Sequence, residues 1–335
     1  MNQHTPPVKN RPLIRTGLMA LLGLVLLPAV AFTGLNLVAP DTWIADTFVH
    51  FRIQYLLIGV IVLVLTVWHR NKWLAIASVF AVLFNVGQVL TYFAMPGIGQ
   101  AHAKSVPTSG FETYRIASAN IYARNDSFDL VASWINRENP DFVVLLEASY
   151  PWESQMRQRL PQYPHQKHII RHRGLGKLLI SKLPFEDFDT LASVGGRTET
   201  PVVTVRRNNA PVRIAGLHTN WPMHYGGAMN RNKELERIAR VAKQTSMPLV
   251  ALGDYNITPF SKHFQKMTRD GDLRRASAGR GWLHSWPTFF MPAGIQIDHV
   301  MITPSIQVAG YDTGAGLNSD HKWVMADLMV PVQKP

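Results

Sequence analysis

Eight polar residues sit where apolar runs of this 335-residue chain end. They are Asn120 after YRIASA, Glu147 after DFVVLL, His218 after VRIAGL, Asp254 and Asn256 in GDYN, Asp298 in IQIDHVMI, and Asp320 with His321 in SDH. Hydrolysis of an anionic phosphorus centre needs a cation on the non-bridging oxygens, a base for water and stabilisation of the leaving oxygen. Carboxylates, amides and imidazoles in this mixture suit that chemistry. Glu147 offers the hard oxygen that Mg²⁺ prefers, and Asn120 adds an amide oxygen or orients Glu147. His321 is the best general base, with Asp298 partnering it across the site to set the tautomer and raise basicity. Asp254 would orient the attacking water and Asn256 would donate to the transition-state phosphate. Whether His321 or Asp254 takes the proton stays open at this level.

For these groups to meet, the runs preceding them must be strands that end at one edge. A buried strand ending in glycine and then a carboxylate, as in Leu249–Asp254, places polar groups where ligands of α/β folds bind. The pattern predicts strands over 114–120, 141–147, 168–171, 177–181, 202–207, 212–218, 249–254 and 295–302, with a final strand after the Ser319-Asp320-His321 of 318–324. Asp298 falls inside its apolar strand and therefore needs a partner, whereas His321 is placed on an exposed loop. Helices are predicted from Phe128 to the Asn139-Pro140 stop, and over 152–160, 229–243 and 260–269. Strands alternating with few helices, and no internal repeat, imply an α+β class: two packed, mainly antiparallel sheets flanked by helices.

The first hundred residues read differently. Apolar stretches at about 16–39, 53–68 and 73–95 have the composition of membrane spans. The first runs eight residues past Ala31, which favours an uncleaved helix over a signal peptide. The second is short and extends if Arg52 snorkels to the interface. In the third, Asn85 and Gln88 read as interhelical hydrogen-bonding groups. Lys9, Arg11, Arg15 and the 69–72 loop carry the basic residues, so the positive-inside rule puts the N-terminus in the cytoplasm and everything after Met95 outside. The expected organisation is a membrane segment over 1–95, a linker over 96–110 and a soluble domain over 111–332. After residue 100 the chain holds 28 of its 34 basic and 20 of its 22 acidic residues. That formal +8 favours anionic partners such as nucleic acid, phosphorylated metabolites or an anionic membrane surface. The absence of cysteine excludes disulfides, thiolate metal sites and Cys nucleophiles.

In order and context, the Asn and Glu strand ends with LH, GDYN, IDHV and SDH resemble the endonuclease/exonuclease/phosphatase superfamily over about residues 112–330. The resemblance implies a deoxyribonuclease-like sandwich and phosphoric ester hydrolysis with Mg²⁺ or Mn²⁺. It also implies that Asp320 joins Glu147 and Asn120 at the metal, directly or through water, and that His218 contacts phosphate or assists the leaving group. Ile121-Tyr122 departs from the acidic residue that AP endonucleases commonly carry two positions after the Asn, and Tyr255 stands where Phe or Leu is frequent. Substrate is less determined. His165–Lys177 is dense in basic residues, and Arg274–Met291 interleaves Arg274, Arg275 and Arg280 with Trp282, Trp286, Phe289 and Phe290. Such a mixture suits a nucleic-acid strand, an anionic bilayer, or a solvated basic loop beside core aromatics. The expectation is a membrane-anchored phosphodiesterase or nuclease. The alternatives are a phosphatase or sphingomyelinase-like hydrolase of lipid head groups, and a catalytically silent binding module.

Overall fold

Apolar residues spaced around whole helical turns give the N-terminal region helices α1 (Arg11–Val38), α2 (Trp43–Phe48), α3 (Arg52–Trp68) and α4 (Lys72–Ala94). The computed structural model describes residues 11–94, 110–170, 176–195 and 199–333. Within it the chain divides into two units, Met1–Thr91 and Tyr92–Pro335. Three helical stretches, Leu13–Val38, Trp43–Trp68 and Lys72–Phe93, are long and apolar enough to cross a membrane. The second is longer than the sequence predicts, because α2 and a 3-10 turn at Val49–Phe51 continue into α3.

That extension corrects the reading of Arg52. With helix on its N-terminal side it does not reach outward; it is 3% exposed. It donates to Asn85 Oδ1 at 3.2 Å and to Asn36 Oδ1. Asn85 in turn donates to Thr33 Oγ1 at 2.9 Å, so one amide links α1, α3 and α4. Gln88 takes no such part and lies exposed on the helix surface.

In the second unit the strands are β1 (Phe111–Asn120), β2 (Phe142–Ala148), β3 (His165–Ile170), β4 (Gly176–Ser181), β5 (Asp187–Leu191) and β6 (Thr200–Arg207). They continue with β7 (Ala210–His218), β8 (Leu249–Asp254), β9 (Arg274–Arg275), β10 (Asp298–Ile302), β11 (Gln307–Gly316) and β12 (Lys322–Pro331). Between them lie α5 (Phe128–Glu138), α6 (Pro151–Arg159), α7 (Tyr225–Gln244) and α8 (Lys262–Asp270). Two six-stranded sheets result, ordered β11-β12-β1-β2-β4-β3 and β5-β6-β7-β8-β10-β9. Among the described residues, β1–β2 and β7–β8 are parallel pairs and the other pairs are antiparallel.

The continuous apolar run of β2 follows from burial on both faces. Phe142, Val144 and Leu146 point into the core between the sheets, while Val143 and Leu145 join the cluster with Trp134 of α5 and Trp152 of α6. On the other sheet, Ala251 and Leu249 join Leu235 and Ile238 of α7 and Phe264 of α8. Helix α5 ends where Asn139 adopts φ 53° and its N–H bonds to the Ile135 carbonyl, a left-handed cap that Asn tolerates. One boundary differs in a way that matters. The strand expected over 295–302 begins only at Asp298, because Ile295 bridges to Trp286 instead. The expected linker lies, apart from Gly110, outside the described residues, as do positions 171–175.

Candidate active site

Strand register brings the polar residues together. Parallel pairing of β7 with β8 sets His218 beside Asp254, and antiparallel pairing of β10 with β8 sets Asp298 on Asp254's other side. Three adjacent strands thus present imidazole, carboxylate and carboxylate in one row. Asp298 is the first residue of its strand, so this carboxylate stands at the sheet edge and not in mid-strand. Gly253 (φ 133°) lets the row form, since a Cβ there would collide with the Leu217 carbonyl oxygen. On the opposing sheet Asn120 ends β1 beside Leu146 of β2. The β2–β4 ladder then breaks register between Leu146 and Ala148, and Glu147 takes φ 62° in the bulge. Left-handed backbone at a non-glycine residue is strained and concentrates at functional sites. Tyr122 (φ 65°) and Asn256 (φ 49°) repeat the feature beside Asn120 and Asp254.

Hydrogen bonds knit the two edges. Asn120 Nδ2 donates to Glu147 Oε1 at 3.1 Å and to Asp254 Oδ2 at 3.3 Å, one contact in each sheet. Its Oδ1 accepts from the Tyr122 N–H at 3.2 Å, so the amide turns its nitrogen to the carboxylates and orients them. Glu147 Oε2 accepts from the Ala123 N–H at 2.9 Å. His218 Nε2 lies 3.6 Å from Glu147 Oε1 and 3.7 Å from Asp254 Oδ2. Asn256 donates its backbone N–H to Asp254 Oδ1 at 2.8 Å and its side-chain nitrogen to the Thr219 carbonyl at 3.1 Å.

His321 is buried, 7% exposed, contrary to the exposed loop predicted for it. The SDH loop folds inward because Ser319 Oγ donates to the Asn120 carbonyl at 2.7 Å and accepts from the His321 N–H at 3.1 Å. His321 Nδ1 lies 2.9 Å from Asp298 Oδ2 and Nε2 lies 3.9 Å from Asp254 Oδ2. Burial alone would lower its pKa, but the charges of Asp298, Asp254 and Asp320 outweigh that and raise it to about 10. The neighbouring His299 is the reverse case. Fully buried, with Nε2 2.9 Å from the Ile257 carbonyl, it is pushed by desolvation down to about 4 and is neutral. It supports the fold and not the chemistry.

All eight predicted residues lie on segments at this edge, and several supports escaped the sequence reading. Trp286 Nε1 donates to Asp320 Oδ2 at 2.9 Å. Ser285 Oγ accepts from the Asp298 N–H at 3.0 Å, and the fully buried Arg231 donates to the Asn256 carbonyl at 3.3 Å. Nothing local in the sequence marks Arg231, which acts across 25 positions; Ser319 could have been found inside SDH itself. The donor set fits a hard divalent cation: carboxylates at Glu147, Asp254, Asp298 and Asp320 outnumber the two imidazoles. Asp254, Asp298 and His321 also bring ligand atoms within 4.8 Å of one another.

Comparison with known proteins agrees with this geometry. No curated protein matches the sequence. Among solved structures, an endonuclease/exonuclease/phosphatase from Bacteroides vulgatus is 19% identical, with a TM-score of 0.55 over 65% of this chain and 99% of that one. D. rerio TDP2, solved with a single-strand DNA product, is 12% identical at TM-score 0.55 over 65% and 99%. SmcL is 17% identical at 0.52 over 64% and 98%. A family model described as Endonuclease/Exonuclease/phosphatase family matches residues 117–321, which run from β1 to His321. The chain belongs to the endonuclease/exonuclease/phosphatase family, whose members are phosphoester hydrolases.

Proposed function

We propose that this protein is a membrane-anchored, Mg²⁺-dependent phosphodiesterase whose catalytic domain faces away from the cytoplasm. The observation that carries the reading is the meeting of two unlike edges: Asn120 with Glu147 from one sheet, and His218, Asp254 and the Asp298–His321 pair from the other. Glu147 would hold the cation with help from Asp320, while Asn120 orients the Glu147 carboxylate. When bound, a divalent cation would withdraw charge from the phosphate oxygens and, by repulsion, lower the proton affinity of His321. His321, held by Asp298, takes the proton of the attacking water, and Asp254 orients that water from beside Nε2. His218 and Asn256 donate to the phosphate oxygens as charge develops there; the bond from phosphorus to one ester oxygen breaks, and that oxygen leaves as an alcohol with a proton taken up from solvent. Anchoring rests on the three apolar helices, and sidedness on the Lys and Arg distribution.

The test uses the purified full chain in detergent with bis-p-nitrophenyl phosphate, p-nitrophenyl phosphate, plasmid DNA and phospholipid vesicles. Diester hydrolysis should require Mg²⁺ or Mn²⁺ and stop with EDTA; hydrolysis that survives chelation removes the metal mechanism. A reporter active only outside the cytoplasm, fused after Pro335, should work, and the opposite result overturns the orientation.

A further inference from the structure

The second unit distributes its exposed apolar surface unevenly. From β1 onward, all ten large apolar side chains that are exposed among the described residues lie on segments at the catalytic edge. They sit on loops that leave or enter that edge, or on the first two turns of helices that follow such loops. The opposite edge, with turns at 139–141, 182–186, 208–209, 245–248 and 303–306, has none. Six of the ten fall in two short segments. Trp221, Met223 and Tyr225 follow His218, and Phe289 (80% exposed), Phe290 (54%) and Met291 (59%) precede Asp298. Exposed cations accompany them: Arg124, Lys262 and Arg280.

Exposed apolar residues gathered at one edge, with exposed cations on segments of the same edge, mark an interaction surface. Two partners have the right chemistry, a single nucleic-acid strand and a bilayer interface. Base stacking uses flat rings, yet Met223, Met291, Met229 and Leu130 among the ten offer none. Aliphatic and thioether side chains beside aromatics and basic groups match the headgroup–acyl boundary of an anionic bilayer. The chain itself keeps such a surface near. Only sixteen residues separate α4 from β1, which span at most about 55 Å when fully extended, so a bilayer carrying the helices is always within reach.

We infer that the catalytic edge docks on a phospholipid bilayer through the 221–225 and 289–291 segments, so that the hydrolysed ester is carried by a lipid. This rests on the phosphoesterase reading for the reaction, but not for the docking. Because the chain has no cysteine, single-cysteine probes are direct. The full chain, reconstituted in nanodiscs containing anionic phospholipid, is labelled with a polarity-sensitive fluorophore at Phe290→Cys or, on the opposite edge, at Asn209→Cys. Lipids spin-labelled near the headgroup should quench the Phe290→Cys probe and leave the Asn209→Cys probe unchanged. Equal quenching, or none, overturns the docking, as does a Phe290→Cys probe shielded only when an oligonucleotide is added. Replacing Phe289, Phe290 and Met291 together by Ser should lower hydrolysis of bilayer phospholipid at least about tenfold while changing that of bis-p-nitrophenyl phosphate less than about twofold. Equal loss on both substrates sinks the lipid assignment. Quenching without turnover of any ester keeps the docking and sinks the enzymatic reading.

Discussion

The two sheets of the catalytic unit share one strand layout and, over β1 to β4 and β7 to β10, one connectivity, yet they carry different chemistry. Each centres on a parallel pair joined by one helix, β1-α5-β2 and β7-α7-β8. A second helix and two strands follow, and the later of these strands, β4 or β10, pairs with the end of the parallel pair. Equivalent positions can therefore be compared. Where one sheet ends its first parallel strand in Asn120, the other has His218; where one has the bulged Glu147, the other has the in-line Asp254. Gly176 opens β4, whereas Asp298 opens β10. Lys177 and His299 come next, both buried, with Lys177 Nζ donating to the Glu199 carbonyl at 3.0 Å. One scaffold thus supplies an irregular edge suited to holding a cation and a regular row suited to handling a proton. At the two edges compared, the difference lies in side chains and the Glu147 bulge.

The largest effect should come from the proton-handling side. His321→Ala is expected to lose at least about a hundredfold in kcat with the fold intact. Asp298→Asn should lose a comparable factor and the double variant little more, because residues acting as one unit are non-additive. If the two losses multiply, the dyad does not exist. On the cation side, Glu147→Ala should raise the Mg²⁺ concentration for half-maximal activity by more than about tenfold; an unchanged Mg²⁺ curve would move the metal to the Asp254–Asp298–His321 cluster.

The third effect is on stability and separates His299 from Lys177. An imidazole held neutral, with a folded value near 4 against an unfolded value of about 6.5, destabilises the fold as pH falls. The stability is full above about pH 6.5 and declines by roughly 3 kcal/mol as pH drops to 4. The melting temperature of His299→Gln should depend less on pH over that window, while Lys177→Met should leave the dependence as it was. Equal slopes for His299→Gln and the parent chain would exclude His299 as the acid-sensitive group. The smallest effect is expected at Asn120→Ser, which releases Glu147 from one hydrogen bond and should lower kcat/KM only about three- to tenfold.

Much of this was legible in residue order. Strands β1, β2, β7 and β8 announced themselves as apolar runs ending in a polar group, and β10 as an apolar run holding Asp298, since burial on both faces demands such runs. Of the edge strands, β3 was legible in part, but β5, β9 and β11 were not. DFDTL of β5 and QVAGYDTGAG of β11 bury little, and β11 is broken by two register shifts. Their pairing is decided by neighbours far along the chain. The burial of His321 was hidden for the same reason: it depends on Ser319 reaching Asn120 across about two hundred positions. Arg52 was misplaced because its partners, Asn36 and Asn85, sit on separate helices that no local pattern joins. The repeat between the sheets left no trace in sequence, since connectivity requires apolar alternation and not particular residues.

Strand β12 lies between β11 and β1 and begins immediately after His321. A ribosome delivers this chain from the other end, so β1 waits with one side bare through the making of every intervening strand. Its neighbour and the histidine beside Asp298 arrive together, in the closing residues of the domain. The Asp298–His321 pair is therefore the last part of this edge that synthesis can complete.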